Sequence, residues 1–231
     1  MKSQAKNFGI EISEDQLVKL KAYMDFLLEY NLHTNLTSIT NPEDIMIKHF
    51  LDSIIISKYI EMKESWKVVD IGTGAGFPGV PLKICNSGLR LTLVDSLNKR
   101  VKFLEALAEK IDIQASVFHG RAEELSLSPK FRENFDLAVS RAVAPLNILL
   151  EYCLPYVKKG GMFVALKGPD ISDELNNSFN AIKVLGGRLK DTISFDLPLE
   201  KGKRTLVVVK KEFITPKKYP RKNSKISTSS L

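Results

Sequence analysis

A glycine-rich loop between a short apolar run and a helix constrains this chain more than any other feature. Residues 68–79 read VVDIGTGAGFPG, so Gly72, Gly74 and Gly76 directly follow a run typical of a buried strand. Glycine permits a sharp turn and a close approach of a ligand to the backbone. The N-terminus of the next helix presents unpaired N–H groups. The segment therefore predicts a nucleotide-like cofactor at the carboxyl end of a strand in an α/β sheet.

From Trp66 onward the chain alternates between predicted strands and predicted helices. Apolar runs with strand character occupy residues 67–71, 90–94, 114–119, 135–140, 162–167, 189–196 and 204–210. Helical patterns occupy residues 78–85, 98–111, 144–156 and 173–185. This alternation predicts an α/β fold with right-handed crossovers and a mostly parallel seven-stranded sheet. Only a short turn separates the last two strands, so we expect a hairpin with an antiparallel last strand, which favours a methyltransferase topology over a dehydrogenase topology.

Changes in the pattern divide the chain into three predicted regions. Residues 1–65 form an N-terminal helical extension, with a capping box at Ser13 and an N-cap followed by proline at Asn41-Pro42. Its two main helices are expected to end near Tyr30 and Tyr59 and to pack on the main domain, residues 66–214. Residues 215–231 are basic and rich in serine and threonine near their end, so we expect a flexible tail, which we interpret as a phosphate-contacting arm in preference to a merely solvated segment.

The composition limits the class of protein. Hydrophobic residues make up 44% of the 231 residues, enough for a packed core, and the formal net charge of +7 attracts polyanions such as nucleic acid. A generic basic surface would explain that charge equally well. The two cysteines fit neither a disulfide framework nor a zinc spacing, and the three scattered histidines argue against a metal site. No apolar run is long enough for a membrane span or a signal peptide, so a cytoplasmic protein is expected.

Acidic residues at strand ends indicate which cofactor the glycine loop holds. Asp70 comes just before the glycines, where a carboxylate attracts a cationic amine and repels a pyrophosphate. Asp95 ends the second strand, where a carboxylate can accept hydrogen bonds from ribose hydroxyls. Ala122 and Glu123 follow the third strand and border the expected position of an adenine. Together with the glycine loop, these residues predict S-adenosylmethionine as the cofactor.

The motifs together resemble the RsmG (GidB) family of small-subunit ribosomal RNA guanine-N7 methyltransferases. The resemblance covers roughly residues 12–211 and rests on NLTS (35–38), HFLDS (49–53), DIGTGAGFPGVP (70–81), DS with KR (95–100), SRA (140–142), ALKG (165–168) and KR before VVV (203–209). It implies a Rossmann-like class I methyltransferase fold and methyl transfer to N7 of the guanine at standard position 527 of 16S rRNA. It also implies cofactor contacts at Gly72, Phe77, Ala122, Glu123 and Arg141, of which only Phe77 is not reached from the residues themselves.

Basic residues near the carboxyl ends of the strands are candidate contacts to RNA. Arg141 and Lys167 end the fourth and fifth strands, and Arg204 begins the last. Given the resemblance, we expect these three cations to position the substrate by holding phosphate or guanine O6, and Arg141→Ala to reduce turnover far more than folding. Further RNA contacts are expected at Lys99, Arg100, Arg121, Lys203 and Arg204. Each of these cations is alternatively a solvated surface charge.

Two other functions fit parts of the pattern. An NAD-dependent oxidoreductase is disfavoured by the glycine spacing and the terminal hairpin, and a non-catalytic RNA-binding protein is disfavoured by the intact acidic residues and glycines. Among methyltransferases, the Asn/Asp-Pro-Pro-Tyr motif of amino-group methylases is missing at residues 140–143, and neither cysteine is placed for cytosine methylation. The favoured partner is 16S rRNA or the small ribosomal subunit, and we expect a monomer.

Overall fold

A seven-stranded sheet runs through the molecule, and the computed structural model describes all 231 residues around it. The strands are β1 (Lys67–Ile71), β2 (Arg90–Asp95), β3 (Ala115–His119), β4 (Phe135–Arg141), β5 (Val157–Lys167), β6 (Gly187–Asp196) and β7 (Lys203–Lys211). Their order is β3-β2-β1-β4-β5-β7-β6, with β1 to β5 parallel and β7 antiparallel to both of its neighbours. The predicted hairpin and antiparallel last strand are confirmed.

The order of the strands determines where a ligand can bind. The chain winds from β1 outward through β2 to β3 and then crosses back to β4 on the other side of β1. In such a sheet the loops after β1 and β4 separate at the carboxyl edge and leave a crevice between them. The glycine loop follows β1 and Arg141 ends β4, so both predicted site segments lie at this crevice.

Helices cover both faces of the sheet. They are α6 (Gly79–Cys85), α7 (Asn98–Lys110), α8 (Ala122–Leu125), α9 (Leu146–Cys153), α10 (Ser172–Asn176) and α11 (Phe179–Val184). The helix expected over residues 144–156 begins later, after Pro145, and its last turn is a 3-10 turn, Leu154–Tyr156. Pro155 lacks the N–H that would continue the α-helical ladder. The helix expected over residues 173–185 is divided into α10 and α11.

The strands bury side chains on alternate faces, as the period of two requires. Val68 of β1 packs in one hydrophobic cluster, and Val69 and Ile71 pack in the other. Leu137 and Ala138 of β4 divide in the same way. The chain thus has two cores, one on each face of the sheet.

The N-terminal extension completes the larger of these cores. Its elements are α1 (Lys2–Asn7), α2 (Glu14–Thr34), α3 (Pro42–Asp44), a π-helical segment (Ile45–Leu51), α4 (Asp52–Ile54) and α5 (Ile56–Tyr59). The capping box at Ser13 and the N-cap at Asn41 are both present. Helix α2 runs four residues past its expected end and stops at Asn35, which adopts a left-handed φ of 50°.

Tyr23 of α2 connects the extension to the glycine loop. It is fully buried, its hydroxyl donates a hydrogen bond to the carbonyl of Ala75, and its ring stacks on Phe77 with centroids 5.2 Å apart. Leu20 and Leu27 lie on the same face of α2 and are buried with it. The extension therefore forms part of the wall that supports the loop.

The C-terminal segment corrects the expectation of a flexible tail. Residues 223–228 form helix α12 (Asn223–Thr228), in which Ile226 is fully buried. Arg221 pairs with the buried Glu151 of α9, and Arg132 donates hydrogen bonds to the carbonyls of Thr215 and Tyr219. The basic composition suggested a solvated arm, but a carboxylate buried 70 residues earlier recruits one of those charges. No helix of the chain combines the length and the apolar character needed to cross a bilayer.

Tyr23→Phe tests whether the extension and the loop fold as one unit. The substitution removes the hydroxyl and leaves the buried Ala75 carbonyl without its donor, so we expect the free energy of unfolding to fall by about 1–3 kcal/mol in a single cooperative transition. Urea unfolding measures it. Tyr30→Phe is the matched control on α2, since that ring packs on Phe26 and Phe103. An unchanged midpoint for Tyr23→Phe would contradict the role assigned to this contact.

Candidate active site

The three glycines of the loop have different surroundings. All have positive φ: 67° at Gly72, 61° at Gly74 and 99° at Gly76. A Cβ on Gly72 would lie 2.5 Å from Cγ2 of Val143, and one on Gly76 would lie 2.7 Å from the Tyr23 hydroxyl. A Cβ on Gly74 would meet no atom within 4 Å. Gly72 and Gly76 are therefore required by packing, whereas Gly74 faces open space in which a ligand can approach the backbone.

Asp70 supports the loop from inside the protein. Its side chain is fully buried, and Oδ2 accepts hydrogen bonds from the Thr73 hydroxyl at 2.7 Å and from the Gly79 N–H at 2.8 Å. Oδ1 has no hydrogen-bond partner. Burial raises the pKa of this carboxyl to about 7. The sequence predicts that Asp70 attracts a cationic amine; in the structure Asp70 organises the turn, and one of its two carboxyl oxygens is left without a partner.

Asp95 joins the end of β2 to the loop. Oδ2 accepts from the Gly74 N–H at 2.9 Å and Oδ1 from the Leu97 N–H at 2.9 Å, while Arg100 lies 3.4 Å from Oδ2. A carboxylate has about four lone-pair sites, so these contacts leave capacity for ribose hydroxyls. Asp95 thus lies at the end of β2 beside the glycine loop, and its contact with ribose stays a prediction.

A cavity of about 350 Å³ extends from this carboxylate. The residues that line it include Gly72, Asp95, Ala122, Glu123 and Val143. Oε1 of Glu123 is buried without a hydrogen-bond partner, and burial raises the pKa of the carboxyl. Buried polar atoms are ordinarily satisfied, so this acceptor indicates a missing donor. A nucleoside with its amino and hydroxyl groups meets that requirement.

A second cavity, of about 180 Å³, also borders the glycine loop. Its lining includes Gly74, Phe77 and Arg141, together with His49 of the N-terminal extension. Gly72 lines both cavities, so the two meet at the glycine loop. The arrangement provides a nucleoside end, a central turn and a second end bounded by aromatic and cationic groups.

Arg141 is held by the N-terminal extension. One terminal nitrogen donates to Oδ2 of Asp52 at 3.0 Å and to the carbonyl of Lys48 at 3.0 Å, and the other donates to Nδ1 of His49 at 3.0 Å. The guanidinium carbon lies 4.9 Å from the centroid of Phe77. Burial raises the pKa of Asp52, and the nearby guanidinium groups of Arg141 and Arg204 oppose that rise.

These partners explain the HFLDS motif, whose role the sequence did not reveal. The motif lies in the π-helical segment and α4, at the point where the chain meets the end of β4. In the sequence, this motif is recognisable only as part of the family resemblance. The residue types do offer a signal, because histidine and aspartate are natural hydrogen-bond partners for an arginine at a strand end. However, 89 residues separate Asp52 from Arg141, so the pairing is not visible in the sequence.

His49 is a neutral, oriented imidazole. Nδ1 accepts from Arg141, which can only donate, so Nε2 carries the hydrogen and donates to the Thr37 hydroxyl at 2.9 Å. Its ring stacks on Phe77 with centroids 4.6 Å apart. Burial, reinforced by the charge of Arg141, lowers the pKa of His49 to about 3. The imidazole is therefore uncharged at neutral pH, and its contacts help to hold Arg141 and Phe77 in place.

The other predicted cations have separate roles. Lys167 is mostly buried and donates to Glu174 at 2.5 Å and to the Ala144 carbonyl at 2.8 Å, which holds the segment after β4. Lys99 is exposed and donates to the Thr34 carbonyl at 2.8 Å. Arg121 and Lys203 are exposed. Arg204 lies 3.6 Å from Asp52.

The acidic side chains, histidines and cysteines form neither a metal cluster nor a reactive thiolate. The structure contains no group of three or more His, Cys, Asp or Glu side chains arranged to hold a metal ion. Burial raises the pKa of the Cys85 thiol to about 12 and that of Cys153 well above its ordinary value. Neither thiol therefore forms a nucleophilic thiolate at neutral pH.

The sheet order, the antiparallel last strand and the glycine loop with Asp95 define a class I S-adenosylmethionine-dependent methyltransferase fold. Similar solved structures include a putative enzyme of this class from Listeria monocytogenes (TM-score 0.60, 14% identity, 86% of this chain and 71% of that one) and M. jannaschii TYW2 in complex with AdoMet (TM-score 0.57, 12% identity, 74% and 77%).

The family follows from sequence comparison. The family model described as "rRNA small subunit methyltransferase G" (GidB) matches residues 16–206. Proteins named ribosomal RNA small subunit methyltransferase G are 51% identical in Alkaliphilus oremlandii, over 98% of this chain and 95% of that protein, and 47% identical in Acetivibrio thermocellus, over 98% and 93%. The chain belongs to the GidB family, which confirms the resemblance recognised from its motifs.

Gly74→Ala and Gly76→Ala test the two roles assigned to the loop glycines: Gly74 allows a ligand to approach, and Gly76 makes room for neighbouring side chains. Gly74→Ala places a methyl group in open space, so we expect it to lose about 1 kcal/mol of stability to its positive φ and to weaken S-adenosylhomocysteine binding more than tenfold. Gly76→Ala collides with Tyr23 and Val80, so it should lose about 1–3 kcal/mol more. Urea unfolding and calorimetric titration measure the two effects. Wild-type affinity in Gly74→Ala would show that no ligand approaches there.

His49→Gln tests the neutral imidazole through the pH dependence of stability. The folded pKa of about 3 lies below the unfolded value of 6.5, so the unfolded chain alone takes up this proton as the pH falls below 6.5. The contribution of His49 is therefore complete above pH 6.5 and declines below it, by at most about 1.4 kcal/mol per pH unit. Glutamine can accept from Arg141 and donate to Thr37 without titrating.

Comparing wild type with His49→Gln cancels the contribution of Asp70 to the pH dependence of stability, which has the opposite sign. Because the folded pKa of Asp70 is raised, its protonation stabilises the native state as the pH falls from about 7 toward 4, equally in both proteins. The wild-type stability minus that of His49→Gln should therefore decrease from pH 7 to pH 4 in urea titrations. Parallel pH profiles would contradict a buried neutral His49.

Proposed function

We propose that this protein transfers a methyl group from S-adenosylmethionine to N7 of a guanine in 16S rRNA, at standard position 527. Membership of the GidB family supports the reaction and the substrate. The observation that carries the proposal in the structure is the pair of cavities that meet at Gly72. One suits a nucleoside. The other is bounded by Phe77 and Arg141, which the family resemblance implies as cofactor contacts, and we propose that the acceptor base meets the cofactor there.

The chain offers a partner for each part of the cofactor. Asp95 and Glu123 supply acceptors for the ribose hydroxyls and the base, Ala122 supplies backbone, and Gly74 supplies open space at the turn. The cationic end of the molecule suits the Asp70 side of the loop, because a nearby cation would favour the ionised form of this carboxyl, whose pKa burial raises to about 7. When bound, S-adenosylmethionine supplies a methyl group activated by a positively charged sulfur.

The acceptor requires no general base. Guanine N7 is a hydrogen-bond acceptor with a free lone pair, so no proton need be removed before it reacts. This agrees with the chemistry of the site, since His49 is neutral and already hydrogen-bonded and Asp52 is paired with Arg141. The contribution of these residues is to orient the base and exclude water, and orientation alone can account for a large part of the acceleration.

Arg141 and Phe77 provide the rigid surface for this orientation. Two side chains and a carbonyl fix the guanidinium, and Phe77 lies against both Arg141 and His49. Arg204 adds a second cation beside Asp52, because the antiparallel β7 begins where β5 ends, with Thr205 paired to Lys167. We propose that Arg141 and Arg204 face guanine O6 or a flanking phosphate.

Further cations, exposed except for the half-buried Arg100, lie along this edge. Arg121 lines the nucleoside cavity and Arg100 lines the second one. Lys203 lies beside Arg204 at the start of β7, and Lys99 lies next to Arg100 in the first turn of α7. The substrate is a polyanion and the chain has a net charge of +7, so we propose these residues as phosphate contacts that guide RNA to the site. Lys167, committed to Glu174, acts in positioning the segment after β4.

Arg141→Lys tests the oriented guanidinium. Arg141→Ala would leave the buried Asp52 without its main partner, which should lower the free energy of unfolding by about 3–5 kcal/mol. This variant would therefore affect folding as well as turnover, contrary to the expectation from sequence. Lysine keeps the charge but loses the planar contacts to His49 and Phe77. We expect turnover to fall about 10–100-fold, with the melting temperature within a few degrees of wild type. Arg90→Lys, at the opposite end of the sheet, is the control. Full turnover in Arg141→Lys would remove Arg141 from the orienting role.

The function is tested by labelled-methyl transfer. The purified protein is incubated with methyl-labelled S-adenosylmethionine and either intact small subunits or naked 16S rRNA, and the modified base is mapped. We expect one labelled guanine, modified at N7, and the better substrate of the two identifies the physiological form of the RNA. The proposal would be overturned if the protein bound NAD but not S-adenosylmethionine, or if neither RNA substrate became labelled.

A further inference from the structure

The C-terminal helix forms part of the wall of the nucleoside cavity. Asn223 and Ser227 of α12 line this cavity together with Tyr152 of α9 and with Ala122 and Glu123 of α8. The first two belong to a segment in which the sequence predicted no fixed structure. We propose that residues 219–231 close the adenine end of the cofactor pocket and that Asn223 contacts the base. The proposal rests on the proposed function, because it takes S-adenosylmethionine as the cofactor.

A buried ion pair fastens this segment to α9. The Glu151 side chain is 1% exposed. It accepts hydrogen bonds from the Arg221 N–H at 2.7 Å, from Nε at 2.9 Å and from a terminal nitrogen at 2.6 Å. A carboxylate buried this deeply needs a charged partner, and Arg221 supplies it. Undocking the segment would leave Glu151 uncompensated, so the docked position is specified by an interaction rather than by the basic composition.

Other contacts hold the helix in register over the pocket. The Ile226 side chain is fully buried, and Asn147 donates to the Ser230 hydroxyl at 2.8 Å. The Tyr152 hydroxyl donates to Oδ1 of Asn223 at 2.6 Å. Tyr152 itself lines the cavity, so this bond ties the tail to the pocket wall at the point where the two meet.

The hydrogen bonds of Asn223 leave one group for a ligand. Oδ1 accepts from Tyr152 and lies 3.3 Å from the Ser227 hydroxyl. A carboxamide has two donors on its nitrogen as well, and Nδ2 donates to no protein atom in the structure. Adenine offers ring nitrogens as acceptors and an amino group as donor. Asn223 supplies a donor, and the unpartnered Oε1 of Glu123 supplies an acceptor in the same cavity.

Closing the cofactor pocket and contacting RNA phosphates are different roles for the C-terminal segment, and they predict different effects when the segment is lost. Arg221 is committed to Glu151, while Lys222 and Lys225 remain exposed. If the tail served RNA alone, its loss would weaken binding of RNA and leave the affinity for the cofactor unchanged. If it closes the pocket, its loss weakens binding of any ligand that carries the adenosine group, in the absence of RNA.

Calorimetric titration of the RNA-free protein tests the proposal with two probes, S-adenosylhomocysteine and methylthioadenosine, which share the adenosine group. Four proteins are compared: wild type, Asn223→Ala, a chain ending at Lys218, and Ser224→Ala as the control on the exposed side of α12. We expect Asn223→Ala to raise Kd for both probes about 2–10-fold, the truncation to raise it more than tenfold, and Ser224→Ala to leave it unchanged.

The outcomes distinguish the two proposals. A wild-type protein that binds neither probe defeats the proposed function. If wild type binds both probes, and Asn223→Ala and the truncated chain bind them with the same affinity, the proposal that α12 closes the pocket is wrong. It is also wrong if the variants lose affinity for RNA alone. If the truncated chain fails to fold, trypsin cleavage after Lys222 and Lys225 replaces it. Saturating S-adenosylhomocysteine should slow that cleavage several-fold in wild type, and an unchanged rate would also overturn the proposal.

Discussion

The buried pairing of Arg141 with Asp52 is the interaction on which the geometry of the site depends. Charges removed from water are stabilised only when their remaining hydrogen-bonding groups are also satisfied. Here the Lys48 carbonyl, His49 and the face of Phe77 complete the surroundings of the guanidinium, and Arg204 adds a second charge beside Asp52. The pair therefore fixes the N-terminal extension, the end of β4 and the loop after β1 in one arrangement.

The glycine loop shows how one motif combines packing and binding. Gly72 and Gly76 make room for Val143 and Tyr23, which belong to distant parts of the chain, whereas Gly74 faces the open cavity. The buried Asp70 holds the turn through Thr73 and Gly79, and Asp95 holds it from the neighbouring strand through the Gly74 N–H. The backbone presented to a ligand is thus fixed by two carboxylates before any ligand binds, which reduces the ordering required on binding.

The positive charge of the chain is divided between internal structure and the surface. Lys167 and Arg221 each neutralise a carboxylate and hold a segment beside the cofactor pocket. Arg121 and Lys203 remain exposed near the same edge. A count of lysines and arginines cannot separate these roles, because the difference depends on whether a buried acidic group lies within reach.

Much of the fold and half of the site could be predicted from local sequence. The period of two in the strands, the capping box at Ser13 and the alternation of strands with helices give the sheet and its hairpin. Residue type and position at the ends of strands, or in the loops after them, also predict Asp70, Asp95 and Glu123 as cofactor contacts, and the structure places all three near the glycine loop or the cavity beside it. These features are readable because each depends on side-chain periodicity or backbone freedom within a few residues.

Only the tertiary structure brings together His49, Asp52 and Arg141, or Arg221 and Glu151. The partners lie 70 or more residues apart, and their pairing follows from desolvation, which exists only once the elements have packed. Burial likewise moves the pKa of Asp70 toward neutrality and keeps His49 uncharged. The sequence by itself thus determined the sheet, the loop and the cofactor they accommodate. Packing decided which charges remain free for the substrate and placed the C-terminal helix against the pocket, because the energy of a buried charge depends on all the groups around it.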